Sequence, residues 1–123
     1  DPGEQVMPVH RRVEVSEIGD VTVVRFVDRK ILDTANIQEL GDELFALVEN
    51  DNRKSLLLNF SRVEFLSSAA LNKLILLDRA VKKHGGRLKL CNLRPEIQEV
   101  FVITRLNQMF SIYDEEAEAL ASF

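Results

Sequence analysis

The segment Ser55-Leu56-Leu57-Leu58-Asn59-Phe60 constrains the fold of this chain most, because its apolar residues are consecutive and not alternating. A strand with one wet face alternates apolar and polar side chains, so an uninterrupted apolar run belongs inside a sheet covered on both sides. The flanking segments supply covers. Ile37, Leu40, Leu44, Leu47 and Val48 recur at helical spacing before it, with Asp33 or Thr34 placed to cap. After it, Ala70, Leu74, Leu77 and Val81 form a second helical stripe flanked by Leu71 and Ile75, and His84-Gly85-Gly86 supplies the stop.

The remaining elements follow from shorter signals. Val13, Val15 and Ile18, then Val21 through Val27, are two β-rich runs joined by Gly19-Asp20, a pair suited to a tight antiparallel hairpin. Ile31-Leu32 is a third short apolar element, and Leu88 to Cys91 a strand after the second helix. Pro95 opens a third helix through Ile97, Val100, Phe101 and Leu106. Phe110 to Tyr113 reads as a last short strand, with Asp114 capping a final helix containing Ala117 and Leu120. The predicted order is β-β-β-α-β-α-β-α-β-α. It describes an α/β domain with a single-layer mixed sheet of about five strands and about four helices, its first hairpin antiparallel and its later strands in right-handed βα units. Residues 1–11 show no periodicity and read as a flexible N-terminal lead, leaving 12–123 as one domain.

Composition narrows the function classes. With 46% hydrophobic and 29% charged residues in 123, the chain can bury one core and has no room for a second domain. A net charge of −4 argues against nucleic acid as the main partner, since phosphate-backbone affinity needs a concentrated positive footprint. Arg79, Lys82, Lys83, Arg87 and Lys89 cluster around one helix end and the next strand, spaced as the solvated face of a helix would be. The single Cys91 lies in an apolar run and reads as a buried, inert thiol suited to a reducing compartment. No apolar run reaches the roughly 18 to 20 residues that span a bilayer, so no direct membrane insertion and a cytoplasmic location are expected.

Enzymatic signatures are missing. There is no glycine-rich phosphate loop with Lys, no Gly-x-Ser-x-Gly elbow and no Cys-x-x-Cys. His10 and His84 are the only histidines, which supports neither a Ser-His dyad nor a metal site. Asp28, Asp33 and Glu64 could be assembled on paper into a Mg²⁺ pocket like that of a phospho-accepting receiver domain. Such a pocket wants an acid where the central strand ends, and that end reads Asn59-Phe60-Ser61. No catalytic residue, metal ligand or cofactor is expected.

The remaining chemical signal is Phe65-Leu66-Ser67-Ser68-Ala69-Ala70-Leu71, where a strand signal ends and an amphipathic helix opens with two hydroxyls at the junction. Free backbone N–H groups and the positive end of the helix dipole converge at such a place. A phosphate on Ser68 would be tolerated locally while changing the surface sharply. Either serine also fits a plain N-cap.

From about Val13 to Leu120 the chain resembles the STAS family, best known for bacterial anti-sigma-factor antagonists. The matching landmarks are Leu32-Asp33 before the first long helix, the Leu-rich central strand, Phe65-Leu66-Ser67-Ser68, Leu71, His84-Gly85-Gly86-Arg87-Leu88, Asn92-Leu93-Arg94-Pro95, and Ile112-Tyr113-Asp114. The resemblance implies a regulatory protein-binding module, without catalysis, that engages an anti-sigma factor of the kinase type and is switched off by phosphorylation and restored by a Ser/Thr phosphatase. The family's site commonly reads Asp-Ser-Ser/Thr-Gly-Leu. On this chain the phosphorylated hydroxyl falls on Ser68, with Ser67 the second candidate. Ser67 replaces the Asp, Ala69 and Ala70 replace the following Ser/Thr and Gly, and Leu71 is retained. Asp33 matches an acidic residue that the resemblance places near the phosphorylation surface. The implied partner face comprises Asp33, Thr34, Ser67, Ser68, Ala69, Ala70, Asn72, Lys73 and Leu76, on a monomer by default. The altered site also fits the family's second use, as a non-phosphorylated scaffold or subunit of a signalling or transport assembly. A nucleotide-dependent activity on the same fold is a third expectation, opposed by the missing phosphate loop.

Overall fold

The computed structural model describes residues 12–50 and 53–123; the lead expected at 1–11 lies outside them. Strand β1 (Val13–Ile18) turns at Gly19-Asp20 into β2 (Val21–Phe26), paired antiparallel with Ile18 opposite Val21. Only Gly19 takes a positive φ, 61°, as the first of the two loop residues. Then come β3 (Lys30–Ile31), α1 (Thr34–Glu49), β4 (Ser55–Asn59), β5 (Phe65–Leu66), α2 (Ser68–Lys83), β6 (Arg87–Cys91), α3 (Pro95–Ile103), a 3-10 turn (Leu106–Gln108), β7 (Ser111–Tyr113) and α4 (Glu116–Ala121).

The main sheet has the order β1-β2-β4-β6-β7, with every pair after the first parallel. β4 is therefore the central strand, as its unbroken apolar run requires. Its side chains divide between two cores. Leu56 and Leu58 face a large core with Ile37, Leu40 and Leu44 of α1, Leu74 and Leu77 of α2, and Phe101 of α3. Leu57 faces a smaller core with Val21, Val23, Cys91 and Ala119, closed by Tyr113, Leu120 and Phe123. Three helices thus cover one side, and the short α4 with the C-terminal residues covers the other.

Four expectations are corrected. Leu106 does not continue α3: Arg105 adopts a left-handed conformation (φ 63°) and the chain re-forms as a 3-10 turn. Asp114 does not cap α4; Glu115 occupies the N-cap position and makes no side-chain cap bond. The apolar element at Ile31 is not a strand of the main sheet. It forms a separate two-stranded parallel ladder with β5, Lys30 opposite Phe65 and Ile31 opposite Leu66. Finally, Lys89 is not on a solvated face. Its ammonium donates to the backbone oxygen and Oγ of Ser122, both at 2.8 Å, and sits 4.9 Å from the Phe123 ring centroid.

Candidate functional site at the head of the second helix

The β3–β5 ladder places the starts of α1 and α2 side by side. Arg29 O accepts from the amides of Glu64 (2.7 Å) and Phe65 (3.1 Å), and Ile31 O accepts from Ser67 N at 3.1 Å. Each helix takes its N-cap just beyond this ladder, Asp33 two residues after β3 and Ser67 directly after β5. The Asp33 carboxylate accepts from the amides of Ala35 (2.8 Å) and Asn36 (3.2 Å). Ser67 Oγ accepts from Ala70 N at 3.2 Å. Capping therefore divides the two candidate hydroxyls of α2. Ser67 is the cap, whereas Ser68 is exposed at the first helical position and has no hydrogen-bond partner for its hydroxyl among the described residues.

The electrostatics of this helix start are one-sided. The first turn of α2 holds no acidic residue, and its last turn carries Lys82 and Lys83. The carboxylates suggested as a metal pocket each have a structural partner instead. Asp28 pairs with Arg12 at 3.1 Å and Asp33 caps α1. Glu64 accepts from Arg29 at 2.7 Å, with Arg94 at 3.9 Å. The Arg29 hydrogen bond holds the Glu64 carboxyl below the usual carboxylate range, against the opposing effect of desolvation.

Of the expected contact positions, Asp33, Thr34, Ser68, Ala69, Asn72 and Leu76 are exposed. Ser67 and Lys73 are half-buried; the Lys73 stem lies against Gly41 and its ammonium is 3.4 Å from Gln38 Oε1. Ala70 is the exception. It is 2% exposed, packed in the large core, and presents no side chain to a partner. Leu76 lies outside the core stripe at 38% exposure. Two residues that sequence reasoning missed adjoin the same junction: Leu32 is 52% and Phe65 51% exposed, with the Lys30 ammonium 5.6 Å from the Phe65 ring centroid. The available signal was a large apolar residue just ahead of each N-cap, Leu32 before Asp33 and Phe65 before Ser67, outside any helical stripe.

The STAS domain family pattern matches residues 12–119, most of the chain. The chain belongs to the STAS family. A curated relative in Bordetella bronchiseptica, named "Putative anti-sigma factor antagonist BtrV", is 31% identical over 93 residues, covering 76% of this chain and 79% of that protein. Among solved structures, an anti-sigma factor antagonist of Thermotoga maritima, described in that structure's name as putative, superposes with a TM-score of 0.81 at 22% identity, covering 92% of this chain and 95% of the other. The phosphorylated form of the Bacillus cell fate determinant SpoIIAA superposes with a TM-score of 0.69 at 18% identity, covering 89% and 97%. These structural likenesses establish the STAS fold, with its first strand pair antiparallel and the rest parallel. No helix among the described residues is long and apolar enough to cross a membrane.

Proposed function

We propose that this STAS domain is an anti-sigma factor antagonist, a regulatory binding module whose partner face is the head of α2 with the neighbouring β3–α1 turn. In this reading the partner is a kinase-type anti-sigma factor, and a phosphate on Ser68 switches the face off until a phosphatase removes it. The observation that carries the reading is the division of labour between two adjacent serines: the Ser67 hydroxyl caps the helix, and the exposed Ser68 hydroxyl is left without a partner. The relative's name supports the class of partner.

The proposed contact set is Asp33, Thr34, Ser68, Ala69, Asn72 and Leu76, extended by the exposed Leu32 and Phe65, with Ser67 and Lys73 at its margin. A phosphate would add about −1.5 to −2 charges in the middle of this partly apolar face. It would meet free helix-start amides locally but desolvation and steric obstruction in a complex, so it would weaken binding without unfolding the protein. Affinity capture from the native host with wild-type and Ser68→Asp baits, followed by binding measurements on the purified partner, tests this. An ATP-binding anti-sigma factor that binds wild type and loses at least tenfold in affinity for Ser68→Asp is the expected result. Equal affinity of both baits for that partner would make Ser68 a bystander and overturn the switch.

A further inference from the structure

A second cluster of polar side chains lies at the carboxyl ends of β2, β4 and β6, on the α4 side of the sheet. Arg25 Nη2 donates to both carboxylate oxygens of Glu116, the first residue of α4, at 2.9 and 3.0 Å, and Arg25 Nη1 donates to Ser16 Oγ at 3.1 Å. Asn59, the last residue of the central strand and only 7% exposed, donates from Nδ2 to Glu116 Oε1 at 2.9 Å and to Asn92 Oδ1 at 3.5 Å. Its other end, Oδ1, accepts from Ser61 N at 2.8 Å. Only one orientation of the amide satisfies both ends, because a flipped group would set its oxygen against the Glu116 carboxylate.

We infer that Glu116 and Asn59 are positioning residues that couple α4 to the segment setting the head of α2. The planar amide of Asn59 is a rigid link: the carboxylate that holds Nδ2 also fixes where Oδ1 meets the Ser61 amide. Beyond Ser61 the chain has one short path. Val63, fully buried, donates its amide to Phe60 O at 2.9 Å; Glu64 and Phe65 bond Arg29 O; and Ser67 bonds Ile31 O before α2 begins. The tether holds the first residue of α4, a six-residue helix held further along by Ala119 and Leu120 in the shallow core and by Lys89 at Ser122. Release of Glu116 therefore loosens two regions together, α4 and the segment Ser61–Leu66, while α1 stays protected. The coupling goes beyond the partner-switch reading and does not rest on it, since it is a property of the unbound chain.

Site-resolved amide hydrogen exchange on the whole protein tests the coupling. In Glu116→Ala, amides of both α4 and Ser61–Leu66 are expected to exchange about tenfold faster than in wild type, α1 core amides are expected to be unchanged, and the Ser68 and Ala69 amide resonances should shift. Acceleration confined to α4, or a uniform rise over the whole chain, overturns the inference. A second comparison guards against simple damage. Asn59→Asp alone sets two carboxylates against each other and should also accelerate Ser61–Leu66. Adding Glu116→Gln restores a donor–acceptor pair and the cluster's net charge, and should return exchange to within about threefold of wild type. No recovery in the double variant would equally overturn it.

Discussion

At the head of α2, neighbouring hydroxyls have different physical duties. Ser67 Oγ satisfies the Ala70 amide, one of the donors that a helix start leaves without a partner. Its removal in Ser67→Ala should cost about 1 kcal/mol of unfolding free energy. Ser68 makes no such bond, so Ser68→Ala should change stability by less than ~0.5 kcal/mol. Ser68→Asp should raise stability by about 0.3–1 kcal/mol at low salt, because it adds the first negative charge to the uncompensated first turn. Urea titrations of the three variants check this; a loss in Ser68→Ala as large as in Ser67→Ala would show that the second hydroxyl also caps. The pair could not be separated in sequence, since Ser-Ser offers two equivalent caps until the register of the first turn is fixed. The cap of α1 was legible only to within two neighbours, Asp33 or Thr34, ahead of a strong apolar stripe, and the structure assigns it to Asp33. Asp114 failed on the same rule, as α4 begins one residue later and without a side-chain cap.

At the scale of elements, long segments were readable, and a short element at Ile31 was too, but the pairing of the two-residue strands β3 and β5 was not. α1, α2 and β4 carry enough consecutive signal for periodicity to decide, whereas β3 and β5 have no period at all. Their pairing is a tertiary fact, and it is the one that brings the starts of α1 and α2 together. The α2–β6 turn shows the opposite case, a local motif with a close-packing demand. Gly85, at φ 75°, donates to Lys82 O at 3.0 Å, and Gly86 donates to Val81 O at 2.8 Å, the paired bonds of a Schellman cap. Gly86 also lies against Lys54, and an added Cβ would meet Lys54 O at 2.4 Å. That oxygen accepts from Arg87 N at 2.6 Å and so belongs to the start of the β4–β6 ladder. Gly85→Ala meets open space and should cost about 1 kcal/mol from the left-handed backbone alone. Gly86→Ala must displace backbone and should cost more, about 2–3 kcal/mol. Thermal or urea unfolding that ranks the two in reverse order would show that the close approach relaxes freely.

The whole molecule is asymmetric: a deep core under three helices and a shallow one under α4. Polar residues at core-like positions of both faces, such as Asp78 and Asn59, were not predictable from an apolar pattern, whereas the inert thiol was. Cys91 sits at the floor of the shallow core, fully buried. Burial, reinforced by Glu116 and opposed by Arg25, pushes its pKa from 9.0 up to about 12. Between those values the unfolded chain releases a proton that the folded chain retains, so the folded state binds more protons and stability must fall as pH rises. The contribution is fully present below about pH 9 and is lost progressively toward pH 12, with a limiting slope of about 1.4 kcal/mol per pH unit. Cys91→Ala loses the thiol's packing at every pH but removes this slope. The stability gap between wild type and variant should therefore narrow from pH 8.5 to pH 10.5, because lysine and tyrosine titrations are common to both chains and cancel. Urea midpoints at four pH values across that range measure the gap. A constant gap would mean that solvent reaches the thiol beneath α4, and that the shallow core opens far more readily than its packing implies.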